Sequence, residues 1–372
     1  MLQTESVPRA VPDHAAYVAL ALVPGVGRAR LTALLAAFDS AEIVLGAERE
    51  ALVSVPGISP ACAAAIARTT KRSGERVLEQ LAEQRGQLLA PADSGFPQML
   101  REIPDAPTLL FALGNVALLA GPNVAMVGSR AHTRYGAEVC RHLASGVARR
   151  GVAVVSGMAR GLDAIAHTAA LDAGGGTVGV LGNGLGVVYP AANRRLYDRV
   201  AGDGCLLTEY RPGERPHAGS FPRRNRLISG LARATVVIEA RDGSGALITA
   251  DCALAQGREV LAVPGPITSP VSNGCNRLIQ AGAKPALGLR DVFEELGLNF
   301  DEAVPSVSLP SGLTGAERQV LDLLALGDEQ VDELAVRLDA SVGETLAVLT
   351  SLEIRGLVAQ EPGKVFRRVS TW

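Results

Sequence analysis

The run Ser220-Phe221-Pro222-Arg223-Arg224-Asn225-Arg226-Leu227-Ile228-Ser229 sets three guanidinium groups and one aromatic ring beside a proline. A guanidinium stays charged at any physiological pH and presents a planar fork of N–H donors that matches phosphate or carboxylate. A cluster of this kind is suited to an anion. The whole chain carries 36 Lys+Arg against 38 Asp+Glu, so the local density is not a by-product of a basic composition. The ligand these residues predict is polyanionic. Only Lys71, Lys284 and Lys364 are lysines, and a chain-wide preference for arginine reads as a coding bias. The position of an arginine therefore carries information that its abundance does not. None of the three lysines stands in a G-K-[ST] setting, which removes the usual ATPase reading.

Other candidate residues fall at the ends of short β-branched runs. Gly128-Ser129-Arg130 follows the first, with Thr133 and Gly136 opening the next helix, and Ser156-Gly157-Met158-Ala159-Arg160-Gly161-Leu162-Asp163 follows the second. Further turns are Gly182-Asn183-Gly184, Arg241-Asp242-Gly243-Ser244-Gly245 and Pro264-Gly265-Pro266. In an open parallel sheet such turns converge on one rim, where helix N-termini present unpaired N–H groups. The dinucleotide fingerprint G-x-G-x-x-G is absent after the first run, where Ser129-Arg130 stands instead. Arg130, Arg160, Arg223, Arg224 and Arg226 are expected to form a stripe able to hold a phosphodiester chain. Phe221 is available for a base, although 3% aromatic content excludes a long stacking platform. A surface salt bridge is the competing reading for each arginine taken singly.

Catalytic and metal-binding patterns are sparse. Asp163 and His167 share a helix face at i, i+4 but lack a serine elbow or third partner, and read as a helix-stabilising pair. Glu209 and Glu239 sit at strand ends, where catalytic carboxylates are common. Cys62, Cys140, Cys205, Cys252 and Cys275 are odd in number and widely spaced, with no C-x-x-C pair, so neither a disulfide framework nor a metal site is expected. A 48% hydrophobic content excludes disorder. No stretch reaches the roughly 20 apolar residues of a membrane span, and residues 1–15 carry charges and two prolines rather than a signal core. A cytoplasmic chain without cofactor or metal is expected.

The elements that must position these residues follow from periodicity. Residues 1–85 read as short helices, with apolar helical spacing over 17–23, 31–38 and 61–67 and turns at Pro24-Gly25-Val26-Gly27 and Pro56-Gly57-Ile58-Ser59. They suggest two helix-hairpin-helix units in a SAM-like arrangement. The first leaves DNA-backbone binding and an inert bundle both open, whereas Ser59, standing where the motif wants glycine, makes the second inert. Residues 86–300 read as an extended Rossmann-like, doubly wound parallel sheet, with strands over 124–127, 152–155, 177–181, 206–208, 235–239 and 259–263. A proline-rich connector, 86–120, precedes them. A linker over 301–312 leads to a winged helix over 313–372, with helices at 314–326, 331–338 and 342–355 and a hairpin around Glu361-Pro362-Gly363-Lys364. Its third helix carries Glu344, Glu353 and Arg355 and little basic character, so it reads as a packing or protein-interaction module.

Six ordered motifs resemble the DNA-processing protein A family (DprA, also called Smf): Gly128-Ser129-Arg130, the 156–167 run ending Ala166-His167, Tyr189-Pro190, Phe221-Pro222-Arg223-Arg224-Asn225-Arg226, Gly243 to Thr249, and Val263-Pro264-Gly265 through Ile279. The resemblance covers about residues 15–372. It implies an extended Rossmann fold that binds single-stranded DNA in a positively charged pocket, forms a homodimer, protects incoming strands and loads the RecA recombinase during natural transformation, without catalysis. Carried onto this sequence, the pocket is expected to include Ser129, Arg130, Gly157, the run Phe221 to Arg226, and Gly243, Ser244 and Gly245, with Arg258 and Lys284 as rim contacts. The alternative is a nucleotide-cleaving enzyme of the lysine-decarboxylase-like phosphoribohydrolase class. That class uses a P-G-G-x-G-T turn and a glutamate, and Asp242 to Thr249 departs from it.

Overall fold

The structure, a computed structural model, describes residues 13–300, 312–324, 329–361 and 363–368. Residues 1–12, the expected linker apart from Gly312, and Pro362 of the expected hairpin tip lie outside the described residues. The chain divides into two units, 1–300 and 301–372.

The first unit is built on nine strands: β1 Gln87–Leu89, β2 Leu110–Gly114, β3 Asn123–Val127, β4 Ala153–Ser156, β5 Thr177–Val180, β6 Cys205–Thr208, β7 Ala234–Val237, β8 Glu259–Ala262 and β9 Lys284–Pro285. Their order is β1-β2-β6-β5-β4-β3-β7-β8-β9. Strands β3 to β9 pair in parallel, while β1 and β2 are antiparallel. The proline-rich connector thus extends the sheet, an outcome its composition did not predict. Continuous apolar runs suit strands covered on both faces, and β3 shows both sides. Ala125 and Val127 join the cluster beneath helices Ser220–Gly230 and Gly245–Ala255, whereas Val124 and Met126 join the one beneath Arg134–Ala148 and Leu162–Asp172.

Helices His14–Ala21, Arg28–Phe38, Ala41–Gly46, Arg49–Val53, Pro60–Ala67 and Lys71–Glu83 precede the sheet and share an apolar cluster with Phe111, Met158 and Leu206. The Tyr17 hydroxyl donates to Thr108 O at 2.7 Å, fixing the first helix to the connector. The two hairpins differ at the residue the motif depends on. Ser59 Oγ accepts from Cys62 N at 3.2 Å and closes its helix start, whereas Gly27 offers no side-chain cap to the helix Arg28–Phe38.

In the second unit, helices Gly315–Leu324, Val331–Arg337 and Val342–Ile354 surround Leu321, Leu334, Leu349 and Phe366. Strands β10 Glu329–Gln330, β11 Val358–Glu361 and β12 Val365–Arg368 form a sheet in the order β10-β12-β11. This is the winged-helix order, with one short strand, β10, added to the expected hairpin.

Candidate nucleic-acid interface

Chain direction across the sheet reverses between β3 and β7. From β3 the chain winds outward through β4, β5 and β6, and from β7 it winds the other way through β8 and β9. Strand ends diverge at such a switch point and leave a crevice. Here the crevice is a cleft of about 680 Å³ lined by residues 128–131 after β3, residues 241–246 after β7, and Phe221, Arg224 and Asn225 from the helix Ser220–Gly230.

The two lips are built differently. On the β3 side, Ser129 Oγ accepts from Ala131 N at 3.1 Å and donates to Ala131 O at 3.0 Å. The serine hydroxyl is spent on its own turn, and that turn projects the exposed Arg130. On the β7 side, Ser244 Oγ caps Ala246 N at 3.3 Å, opening the helix Gly245–Ala255 at the cleft wall. Asn225 Nδ2 donates to Gly245 O at 3.3 Å and ties this wall to the arginine-rich helix. Arg241, absent from the sequence-based site, lines this lip and is exposed. Its signal was its place in the Arg241-to-Gly245 turn. Among the described residues, neither the Arg130 nor the Arg241 guanidinium has an ion-pair or hydrogen-bond partner.

Beneath the cleft lies a buried polar cluster. Arg224 is 5% exposed, and its Nη1 donates to the carbonyls of Gly157 and Val180. Burial pulls its pKa down to about 10, with the Asp163 carboxylate opposing that shift and the Arg130 charge adding to it. Arg224 is therefore a strut of the cleft floor, bonded to two backbone carbonyls. Asp163 Oδ2 accepts from Gly157 N at 3.1 Å and Ala159 N at 3.4 Å. Burial raises its pKa against the pull of Arg224. His167 Nε2 accepts from Met158 N at 3.4 Å, while its Nδ1 lies 2.7 Å from Thr177 Oγ1, whose own proton goes to Val154 O. These partners call for a neutral imidazole protonated at Nδ1, and burial, reinforced by the Arg224 charge, holds the pKa down at about 3. The expected helix-stabilising pair is thus corrected: each side chain bonds to the loop after β4 rather than to the other.

That loop in turn supports the β3 lip. Gly161 has φ +79, and a Cβ there would meet Ser129 O at 2.5 Å and Arg130 Cα at 2.7 Å. A Cβ on Gly157 would meet Arg224 Nη2 at 2.6 Å. Both glycines are required by close approach. Arg160 and Arg223 are exposed, next in sequence to the lining residues Ala159 and Arg224, and have no ion-pair partner among the described residues.

The remaining predicted residues are not brought to the cleft. Arg226 pairs with Glu209 at 2.6 Å and Asp105 at 2.8 Å. Burial pulls its pKa down, but the two carboxylates outweigh burial and the net shift is upward. Arg258 reaches Met99 O at 3.1 Å and Glu102 at 3.5 Å, and Lys284 pairs with Glu294 at 2.7 Å and Glu295 at 2.9 Å. In each case a nearby acceptor claims the charge. Of the two strand-end carboxylates, Glu209 is thus committed to Arg226, and Glu239, 2% exposed, accepts from Thr133 N at 2.9 Å and from the Thr133 hydroxyl. Thr133 caps the helix Arg134–Ala148, so Glu239 supplies negative charge at a helix N-terminus. Among the described residues no group of three or more His, Cys, Asp or Glu could hold a metal ion, and no helix is long and apolar enough to cross a membrane.

An open, mostly parallel sheet with a rimmed cleft at its strand-order reversal defines a doubly wound α/β protein. The chain belongs to the DprA family: the model for DNA recombination-mediator protein A matches residues 87–297, the DprA winged helix domain matches 304–364, and a SAM-like helix-hairpin-helix tandem matches 18–72. The chain is 42% identical over 305 residues to a putative DNA processing protein DprA of Mycobacterium tuberculosis, covering 77% of this chain and 78% of that one. The X-ray structure of DprA from Streptococcus pneumoniae superposes with TM-score 0.68 at 36% identity, covering 78% of this chain and 99% of that chain. DprA from Helicobacter pylori, described for its single-stranded DNA binding mode, superposes with TM-score 0.52 at 28% identity, covering 57% of this chain and 95% of that chain.

Proposed function

We propose that this chain is a non-catalytic recombination mediator that grips single-stranded DNA in the cleft between β3 and β7, protects incoming strands and loads RecA recombinase during natural transformation, acting as a cytoplasmic homodimer. The observation that carries the reading is the pair of unpartnered guanidiniums, Arg130 and Arg241, on opposite lips of a cleft whose floor is the cationic Arg224. A phosphodiester chain crossing between the lips meets a positive charge on either side, and charged donors without protein acceptors are what a phosphate needs. The single-strand binding mode described for the Helicobacter pylori relative supports the choice of ligand.

The binding set is Ser129, Arg130, Phe221, Arg224, Asn225, Gly243, Ser244 and Gly245 of the cleft lining, joined by Arg241, with the exposed Arg160 and Arg223 next to lining residues in sequence and Gly157 bracing Arg224 from below. Arg226, Arg258 and Lys284 serve the fold. Leu287, 76% exposed, offers apolar surface to a second copy. The commitment of Glu239 to Thr133 favours binding over nucleotide cleavage, because a general base or nucleophile has to reach its substrate. Residues 1–85 and 313–372 are flanking domains of this mediator. Fluorescence anisotropy with a labelled single strand across a salt series tests the reading, since releasing counterions from phosphates makes log affinity fall linearly with log salt. Tight, salt-dependent binding is expected. No binding, or release of base from AMP that Glu239→Gln abolishes, would overturn it.

A further inference from the structure

The chain has five tyrosines. Tyr17 and Tyr210 donate their hydroxyls to Thr108 O and Ser220 O, Tyr135 donates to Pro264 O, and Tyr197 accepts from Gly186 N. Of the five tyrosine hydroxyls, that of Tyr189 alone has no hydrogen-bond partner among the described residues, and Tyr189 is 48% exposed. Its ring contacts that of Phe221, which lines the cleft, with centroids 5.3 Å apart and planes inclined at 34°. The segment carrying Tyr189 is anchored to the same rim: Asn193 Nδ2 donates to Met158 O at 3.0 Å and Ala159 O at 3.1 Å, in the loop that continues into Arg160. A half-exposed aromatic ring is thereby held beside a cleft aromatic, in a segment tied to the loop that continues into the exposed Arg160.

Resting on the single-strand reading of the cleft, we propose that Tyr189 is a base-stacking residue that, with Phe221, extends the site beyond the cleft mouth. Arginines hold phosphates and leave the bases of a single strand exposed, and each base has a flat apolar face that gains by stacking on an aromatic ring. A tyrosine kept for packing would bury that ring, and one kept for a hydrogen bond would engage its hydroxyl. Tyr189 packs on Phe221 yet stays 48% exposed, and its hydroxyl has no partner among the described residues. The ligand at this position is a nucleobase of the strand leaving past Phe221, and sequence preference there is weak because every base offers the same face.

The test compares a thymidine oligomer with an abasic strand of equal length in the full-length protein by anisotropy. Wild type favours the thymidine strand. Tyr189→Ala lowers the ratio of the two affinities about ten-fold, within the range of base–aromatic stacking. Tyr189→Leu, which keeps apolar packing on Phe221, lowers it as much, and Tyr189→Phe restores it. A ratio unchanged in Tyr189→Ala, an equal loss on both strands, or a ratio preserved by leucine would each overturn the inference while leaving the arginine cleft standing. A wild-type protein that binds neither strand would overturn the reading of the cleft, and this inference with it.

Discussion

Arg224 and Arg226 stand two positions apart on one helix, and the regions they face show what makes a charge available. Residues separated by two lie on different faces of a helix. Toward the cleft, Arg224 meets only carbonyls and the buried Asp163 pocket, and the neighbouring Arg130, Arg160, Arg223 and Arg241 meet no acceptor among the described residues. Toward the connector, Arg226 meets Glu209 and Asp105 and is neutralised. One face keeps unpaired positive charge because its carboxylates are buried, as Asp163 is, or engaged elsewhere, as the exposed Asp242 is by Arg277 at 3.1 Å. The other is a clamp because its carboxylates are present. Charge density alone does not distinguish them.

The strongest way to break this comparison is at the floor. Arg224→Ala removes the donor to two buried carbonyls and leaves Asp163 without its charge partner, and should cost about 3 kcal/mol or more in chemical denaturation. A loss below about 1 kcal/mol would mean that the cluster does not hold the loop.

The next effect is one of pH. In the fold His167 stays neutral down to about pH 3, whereas an unfolded histidine takes a proton near 6.5. Between those values the unfolded chain binds more protons, so stability falls as pH drops, by up to about 2 kcal/mol between pH 6.5 and 5. His142, whose pKa burial also lowers, adds to the trend, and Asp163, whose pKa burial raises, opposes it at the acid end. The difference from His167→Gln isolates the histidine. The variant should show a shallower slope, and an identical slope would refute the neutral-histidine strut.

On the opposite face, Arg226→Ala should cost about 1–2 kcal/mol in the same denaturation assay, because the half-buried Glu209 would lose its charged partner. The smallest effects are expected at Arg258→Ala and Lys284→Ala, whose affinity for a single strand should match wild type in anisotropy. A clear loss at either would move the site away from the switch point.

Much of this was legible in the sequence. Strands β3 to β8 each announced themselves as β-branched runs ending in a turn, and the structure sets their bounds within two residues of those expected. Strands β1, β2, β9 and β10 were not legible. β1 is three residues long, β9 and β10 two each, and β2 lies just beyond the prolines of the connector, so none offers a periodic pattern long enough to read. In the cleft, the turns that could carry Ser129, Arg130 and Gly243 to Gly245 were visible because glycine and strand ends mark them. The fate of each arginine was not. Arg226 is neutralised by one carboxylate from just after β6 and another from the connector, and Lys284 by two from the helix Leu289–Leu296, partners that only tertiary packing brings near. Asp163 and His167 were correctly placed on one helix face but misread, because both accept from backbone N–H groups of the loop that leads into their helix, and His167 also reaches Thr177 on β5.

The most direct test of the cleft is a salt series of single-strand binding by wild type, Arg130→Ala and Arg226→Ala, with folding checked by circular dichroism. Arg130→Ala should bind about ten-fold more weakly to every sequence, and its slope of log affinity against log salt should be shallower by about one, while Arg226→Ala keeps both affinity and slope. Wild-type binding by Arg130→Ala, or an equal loss in the two variants, would contradict the account.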